Sequence, residues 1–179
     1  VVEAIQKQAE DLSFAHTAFF TNEPQEDLAE RLAGRFTEKD AKVWFTSGGS
    51  ESNESALKIA WLYWRAKGKP DKTIIISREC SYHGGTLGAT SISGNMFRRA
   101  PYENVLLDWP RIAPCYSYRH QSIDETEHQY GHRVARELEK AIGQVGADNV
   151  AAFIAEPVIG ATLGVVPPVA GYFEEIRRI

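Results

Sequence analysis

Apolar positions along the chain recur with helical spacing in some stretches and run without interruption in others. In VVEAIQKQAEDL, Val2, Ile5, Ala9 and Leu12 fall on one helical face, and in PQEDLAERLAGRF, Leu28, Leu32 and Phe36 do the same after Pro24. The run AKVWFT (41–46) is short, apolar and bounded by small residues, which predicts a buried strand. A long helix is expected over 51–67, closing near Gly68 and Pro70. KTIIIS (72–77) is the clearest strand, and YENVLLD and NVAAFIAEP supply two more candidates. GHRVARELEKAIGQVG predicts an amphipathic helix ending at glycine, and GYFEEIRRI begins another amphipathic run. Residues 109–131, rich in aromatics, histidines and acids, are expected to be an irregular excursion.

Uniformly apolar strands separated by helices indicate an α/β fold: a three-layer sandwich with a mostly parallel sheet flanked by helices. No repeat, low-complexity segment or internal domain boundary is visible. The length of 179 residues favours one domain. A hydrophobic content of 43% and a formal charge of −4 fit neither a membrane-spanning chain nor a globally basic nucleic-acid binder. The two cysteines, Cys80 and Cys115, have no metal spacing and are expected to be reduced thiols of a cytoplasmic protein. The only methionine is Met96, and the final amphipathic run has no terminator. Both features lead us to expect a fragment of a longer protein.

Candidate chemistry collects where strands are expected to end. The run FTSGGSESNES passes through Gly48, Gly49 and Ser50 into a helix, leaving backbone N–H groups and the positive helix pole pointing outward. Such a turn accepts a phosphate, unless Ser47 or Ser50 simply caps the helix. The Lys of a P-loop, the G-x-G-x-x-G of a dinucleotide site and the G-x-S-x-G of a nucleophile elbow are all missing. After KTIIIS come Tyr82, His83 and Gly84, at the edge where open parallel sheets bind ligands. Tyr82 offers a flat ring there, with a surface tyrosine beside a turn as the plainer reading. Glu156 follows VAAFIA at the equivalent place on another strand, as a functional carboxylate or a hydrogen-bonding one. Together these residues describe a site for a phosphorylated planar cofactor.

With these residues assembled, FTSGGSESNESALKIA, SYHGGTLGA and IAEPVIGATLGVVPPVAGYFEEIRRI resemble class III pyridoxal-phosphate aminotransferases of fold type I. The resemblance extends over nearly the whole chain, with three motifs in the family's order. It implies that residues 1–179 are part of the large, cofactor-binding domain, with an N-terminal segment and a C-terminal part of the parent protein absent. It implies pyridoxal 5'-phosphate held by Gly49 and Ser50 at its phosphate, by Tyr82 against its ring with His83 beside it, and by Glu156 nearby. The implied reaction moves an amino group from an amine or ω-amino acid to a 2-oxo acid such as pyruvate, in a homodimer. Ile159 and Ala161 stand where members acting on ornithine or 4-aminobutyrate carry an EPxQGE-like run, and this departure favours amines or ω-amino acids with pyruvate. Aminomutases share the three motifs, and a non-catalytic cofactor-binding fragment is a further reading.

No catalytic residue of that family is expected within the chain. Lys42 and Lys72 are expected at the entry ends of strands, Lys58 and Lys140 in helices, and Lys7, Lys39, Lys67 and Lys69 near helix ends or turns. None has the position of the family's Schiff-base lysine, which is expected, with the ring-pairing aspartate, beyond Ile179. The chain alone is therefore expected not to turn over. Other signals read more plainly. His128 and His132 have a metal-ligand spacing, but Gly131 between them argues against a rigid helix, and no metal is expected. Trp61, Tyr63 and Trp64 suit packing, and Arg98-Arg99 a solvated turn. A serine hydrolase is the remote enzymatic alternative, because HGG (83–85) follows the serines instead of preceding them.

Overall fold

The structure, a computed structural model, describes residues 1–38 and 40–179. These fall into two compact units, Val1–Phe45 and Thr46–Ile179, a division with no compositional signal in the sequence.

The first unit holds helices α1 (Val2–Asp11) and α2 (Glu23–Ala33). Asn22 caps α2 by accepting the Gln25 N–H at 3.0 Å, and Pro24 lies in its first turn. Neither helix buries a residue, and Phe14, Phe19 and Phe20 are exposed. The stretch 41–46 is not a strand: Trp44 is 75% exposed and Phe45 39%. Among the described residues no neighbouring strand takes its N–H and C=O groups, as a strand requires. Lys42 therefore begins no strand, and Lys39 lies outside the described residues.

The second unit opens with helix α3 (Gly49–Ala66), then strand β1 (Ile74–Arg78) and the short helices α4 (Leu87–Ser91) and α5 (Met96–Arg99). Next come strand β2 (Arg111–Ile112), helices α6 (Ser117–His120) and α7 (Glu127–Val145), strand β3 (Val150–Phe153) and helix α8 (Tyr172–Arg178). The sheet order is β2-β1-β3, parallel throughout. Strand β1 is central and apolar on both faces because both are covered. Ile75 packs with Leu57 of α3 and Ile92, whereas Ile76 packs with Leu138 and Ala141 of α7 and Ile112 of β2. Each isoleucine is almost wholly buried, and such burial contributes roughly 1.5–3 kcal/mol per side chain. Lys72 closes the entry end of the sheet, donating to Val150 O at 3.0 Å and also to Ala147 O.

Three expectations change here. YENVLLD is not a strand; residues Ala100–Val105 form a 3-10 helix with Pro101 in its first turn, where the fixed proline φ favours a helical start. The excursion at 109–131 contains β2, α6 and the first turns of α7. Helix α7 starts at a capping box formed by Thr126 and Gln129 and runs straight through Gly131. That glycine is in the helix for packing: a Cβ there would stand 2.6 Å from Ala170 O. His128 and His132 consequently stack, ring centroids 4.4 Å apart, against the Gly171 backbone turn.

Candidate functional site

The start of α3 is the first component. Its N-cap is Gly48, in extended backbone, and no side chain caps it, so neither Ser47 nor Ser50 does so. The first amides of the helix have no intrahelical acceptor and carry the positive pole. At Gly48 and Gly49 no atom of the described residues stands within 4 Å of where a Cβ would be, so a ligand can approach this backbone closely. Glu51 turns back to accept the Ser47 N–H at 2.9 Å, fixing the turn.

The second component is the loop after β1. Ser50 Oγ accepts the Gly85 N–H at 3.0 Å, Asn53 Nδ2 donates to His83 O at 2.5 Å, and Glu54 Oε1 accepts the Ala89 N–H at 3.2 Å. One face of α3 thus holds residues 83–89 through three side chains. Gly84 lies at a close approach to α3, with φ +134° and Ser50 Oγ 2.5 Å from the place of a Cβ.

The third component is Glu156, three residues beyond β3. Its Oε2 accepts the Tyr82 N–H at 3.3 Å and its Oε1 the Gly160 N–H at 3.4 Å, so one carboxylate ties the loop after β1 to the loop after β3. The loop that carries Tyr82 and His83 is thus tied by hydrogen bonds to Ser50, through Gly85, and to Glu156, through Tyr82, with Gly49 at the helix pole. Tyr82 is 44% exposed, with the Arg98 guanidinium 5.2 Å from its ring centre. His83 is buried; burial pushes its pKa down and the Arg78 charge adds to that, while Glu156 opposes both. Its Nε2 has no hydrogen-bond partner among the described residues.

Sequence reasoning missed Arg78. This wholly buried arginine ends β1 and donates to Glu156 O at 2.5 Å, holding the backbone behind the carboxylate. Its one sequence signal is a cation directly after IIIS, at the sheet edge where the other residues collect. Arg99 was also misread: it is buried and its guanidinium donates to Thr90 O, Ser91 O and Ser93 O at 2.6–3.1 Å. Among the described residues no hydrogen bond joins Ser50 to His83, so the serine lacks the adjoining base that a hydrolase nucleophile needs. No group of three or more metal-ligating side chains is found among the described residues. Likewise no described helix is long and apolar enough to cross a membrane.

An α/β sheet whose carboxyl edge joins an uncapped helix pole, an exposed aromatic ring and a carboxylate has the layout of a site for a flat, phosphorylated ligand. The family model described as Aminotransferase class-III matches residues 1–179, and the chain belongs to that family. It is 39% identical over 180 residues to an uncharacterised aminotransferase of Schizosaccharomyces pombe, covering 100% of this chain and 39% of that protein. It is 41% identical over 184 residues to a chloroplastic gamma aminobutyrate transaminase of Solanum lycopersicum, covering 100% of this chain and 35% of that one. Among solved structures, an omega transaminase from Pseudomonas jessenii in complex with PMP aligns with a TM-score of 0.91 at 34% identity, over 99% of this chain and 39% of the other. The chain thus spans well under half the length of these relatives.

Proposed function

We propose that the protein carrying this chain transfers an amino group from an amine or ω-amino acid to a 2-oxo acid such as pyruvate, using pyridoxal 5'-phosphate. The observation that carries this reading is the linkage of three loops, through Ser50 to Gly85 and Glu156 to Tyr82, in a chain of the class III aminotransferase family. Members of that family depend on pyridoxal phosphate, and the open backbone at Gly48 and Gly49, the exposed Tyr82 ring and the unpartnered His83 Nε2 suit that group.

The cofactor, when bound, supplies an electron sink for moving a proton beside the transferred nitrogen. The chain's own residues bind and orient it. The first amides of α3 and the Ser50 hydroxyl would hold the phosphate, and the Tyr82 ring would lie against the pyridine ring. Glu156 fixes the Tyr82 backbone, and Arg78 fixes Glu156 in turn. His83, held neutral by burial, offers a hydrogen bond without bringing a charge. Of the described lysines, Lys72 donates to the Val150 carbonyl and Lys7 pairs with Asp11, while Lys58 lies in α3 and Lys140 in α7. In this reading the 179 residues bind cofactor without turnover, and the parent protein supplies the lysine and aspartate. The parent is a homodimer, and its location is cytoplasmic, supported by two unpaired thiols, Cys80 and Cys115.

The test is to incubate the whole protein with pyridoxal phosphate, a panel of primary amines and ω-amino acids, and pyruvate, and to measure alanine. Cofactor-dependent alanine formation is expected. No alanine with any donor, from protein that binds the cofactor, would overturn the reading.

A further inference from the structure

Tyr82 and Gly85 also border a cavity of about 390 Å³ whose other walls take no part in holding the cofactor. Its walls include Tyr82, Gly85, Phe97, Arg98, Pro101 and Tyr102. Tyr82, Phe97, Pro101 and Tyr102 give it aromatic and apolar lining, and among the described residues no atom stands within 4 Å of a Cβ at Gly85. Among the described residues the lining carries a single charged side chain, Arg98, and no carboxylate. That guanidinium makes no ion pair among the described residues; its one partner is the Tyr82 ring, 5.2 Å away. Its backbone is fixed, because Asn95 accepts the Arg98 N–H at 3.3 Å and the adjoining Arg99 is clamped by three carbonyls.

We propose that Arg98 is a specificity-determining residue that receives the carboxylate of a small acid whose apolar body occupies this cavity. The proposal rests on the aminotransferase reading and names the class of substrate that fits this part of the site. A guanidinium on a rigid turn presents paired N–H donors that match a carboxylate bidentately. A cation stacked on an exposed aromatic ring is held only modestly, so a carboxylate can draw it from Tyr82. With no acidic group in its walls, the cavity favours an anion over an ammonium. Gly85 belongs both to this cavity and to the Ser50 link, which places the carboxylate pocket against the phosphate end of the site. A phosphate oxygen is the other anion Arg98 could receive, and the experiment separates the two.

The experiment compares the whole protein with its R98A and R98K variants. The first readout is the ratio of kcat/KM for pyruvate to that for propanal, which lacks the carboxylate. A lost charge-assisted hydrogen bond predicts that R98A lowers this ratio about 10-fold or more, with R98K recovering part of it. The second readout is binding of butyrate by calorimetry, expected to be lost in R98A, and the third is the Kd for pyridoxamine phosphate, expected within about 2-fold of wild type. An unchanged pyruvate-to-propanal ratio, or a loss confined to pyridoxamine phosphate affinity, would overturn the proposal, the latter assigning Arg98 to the phosphate. If no acceptor is turned over at all, the aminotransferase reading fails, while butyrate binding still decides the role of Arg98.

Discussion

Replacing Gly84 by alanine tests whether the α3 pole and the loop after β1 form one unit. The new methyl would stand 2.5 Å from Ser50 Oγ and 2.9 Å from both Ser50 Cα and Ala89 Cβ, on a residue with φ +134°. Backbone strain of this kind costs about 1–3 kcal/mol and overpacking a similar amount, so about 2–6 kcal/mol is expected in total. Gly85 is the internal control, because nothing stands within 4 Å of a Cβ there and its φ is outside the positive range. G85A should lie within about 0.5 kcal/mol of the parent or stabilise it slightly. Urea unfolding of the three proteins side by side gives the comparison, read from the midpoint at constant slope. Equal midpoints for G84A and G85A would refute the claim that Ser50 and Gly84 are in close contact.

Four further outcomes follow from the same contacts. S50A leaves the Gly85 amide without its acceptor and should cost about 1 kcal/mol in denaturation. E156Q keeps a single carbonyl oxygen where the carboxylate now serves both Tyr82 and Gly160, so amide exchange at one of those two positions should accelerate, as read by NMR. Glu175 is held at about 2, below the ordinary value of 4.5, chiefly by its hydrogen bond to Arg178 and then by Arg136. Because the folded value is the lower one, this stabilisation is complete above about pH 4.5 and is lost as pH falls towards 2; E175Q should flatten that part of the acid-unfolding curve. His83 is also depressed, mainly by burial, so its stabilisation is present above the unfolded value near 6.5 and fades as pH falls below it. H83Q should remove the part of the pH dependence that sets in below the ordinary histidine value near 6.5 while leaving the Glu175 part intact.

Legibility in the sequence followed how local each feature was. Helices α1, α2, α3 and α7 and strands β1 and β3 have apolar periods or runs that state their type without outside help. The stretch 41–46 has a strand's composition, but a strand is completed by its neighbour, and no pattern within six residues reports whether one exists. Strand β2 is two residues long, too short for any period to show. The start of α7 was readable, since Thr126 and Gln129 have capping-box spacing, but the aromatic and histidine-rich surroundings masked it. At the site, strand-end position nominated Tyr82, His83 and Glu156, and the glycine-serine entry into α3 nominated Gly49 and Ser50, although the strand expected before it is absent among the described residues. The links among them were not readable, because Ser50 to Gly85 and Glu156 to Tyr82 join residues 35 and 74 apart. Arg78 and Arg99 were missed or misread for a related reason: a buried arginine satisfied by carbonyls looks in sequence like any solvated cation.

The central claim is that the pole of α3, with Ser50, holds a phosphate while Tyr82 covers the attached ring. The most direct measurement is calorimetric titration of the protein with pyridoxamine 5'-phosphate and with pyridoxamine, neither of which condenses with lysines. The account predicts that the phosphorylated form binds at least about 10-fold more tightly, and that S50A narrows the difference. Equal affinities for the two compounds, or a difference untouched by S50A, would contradict it.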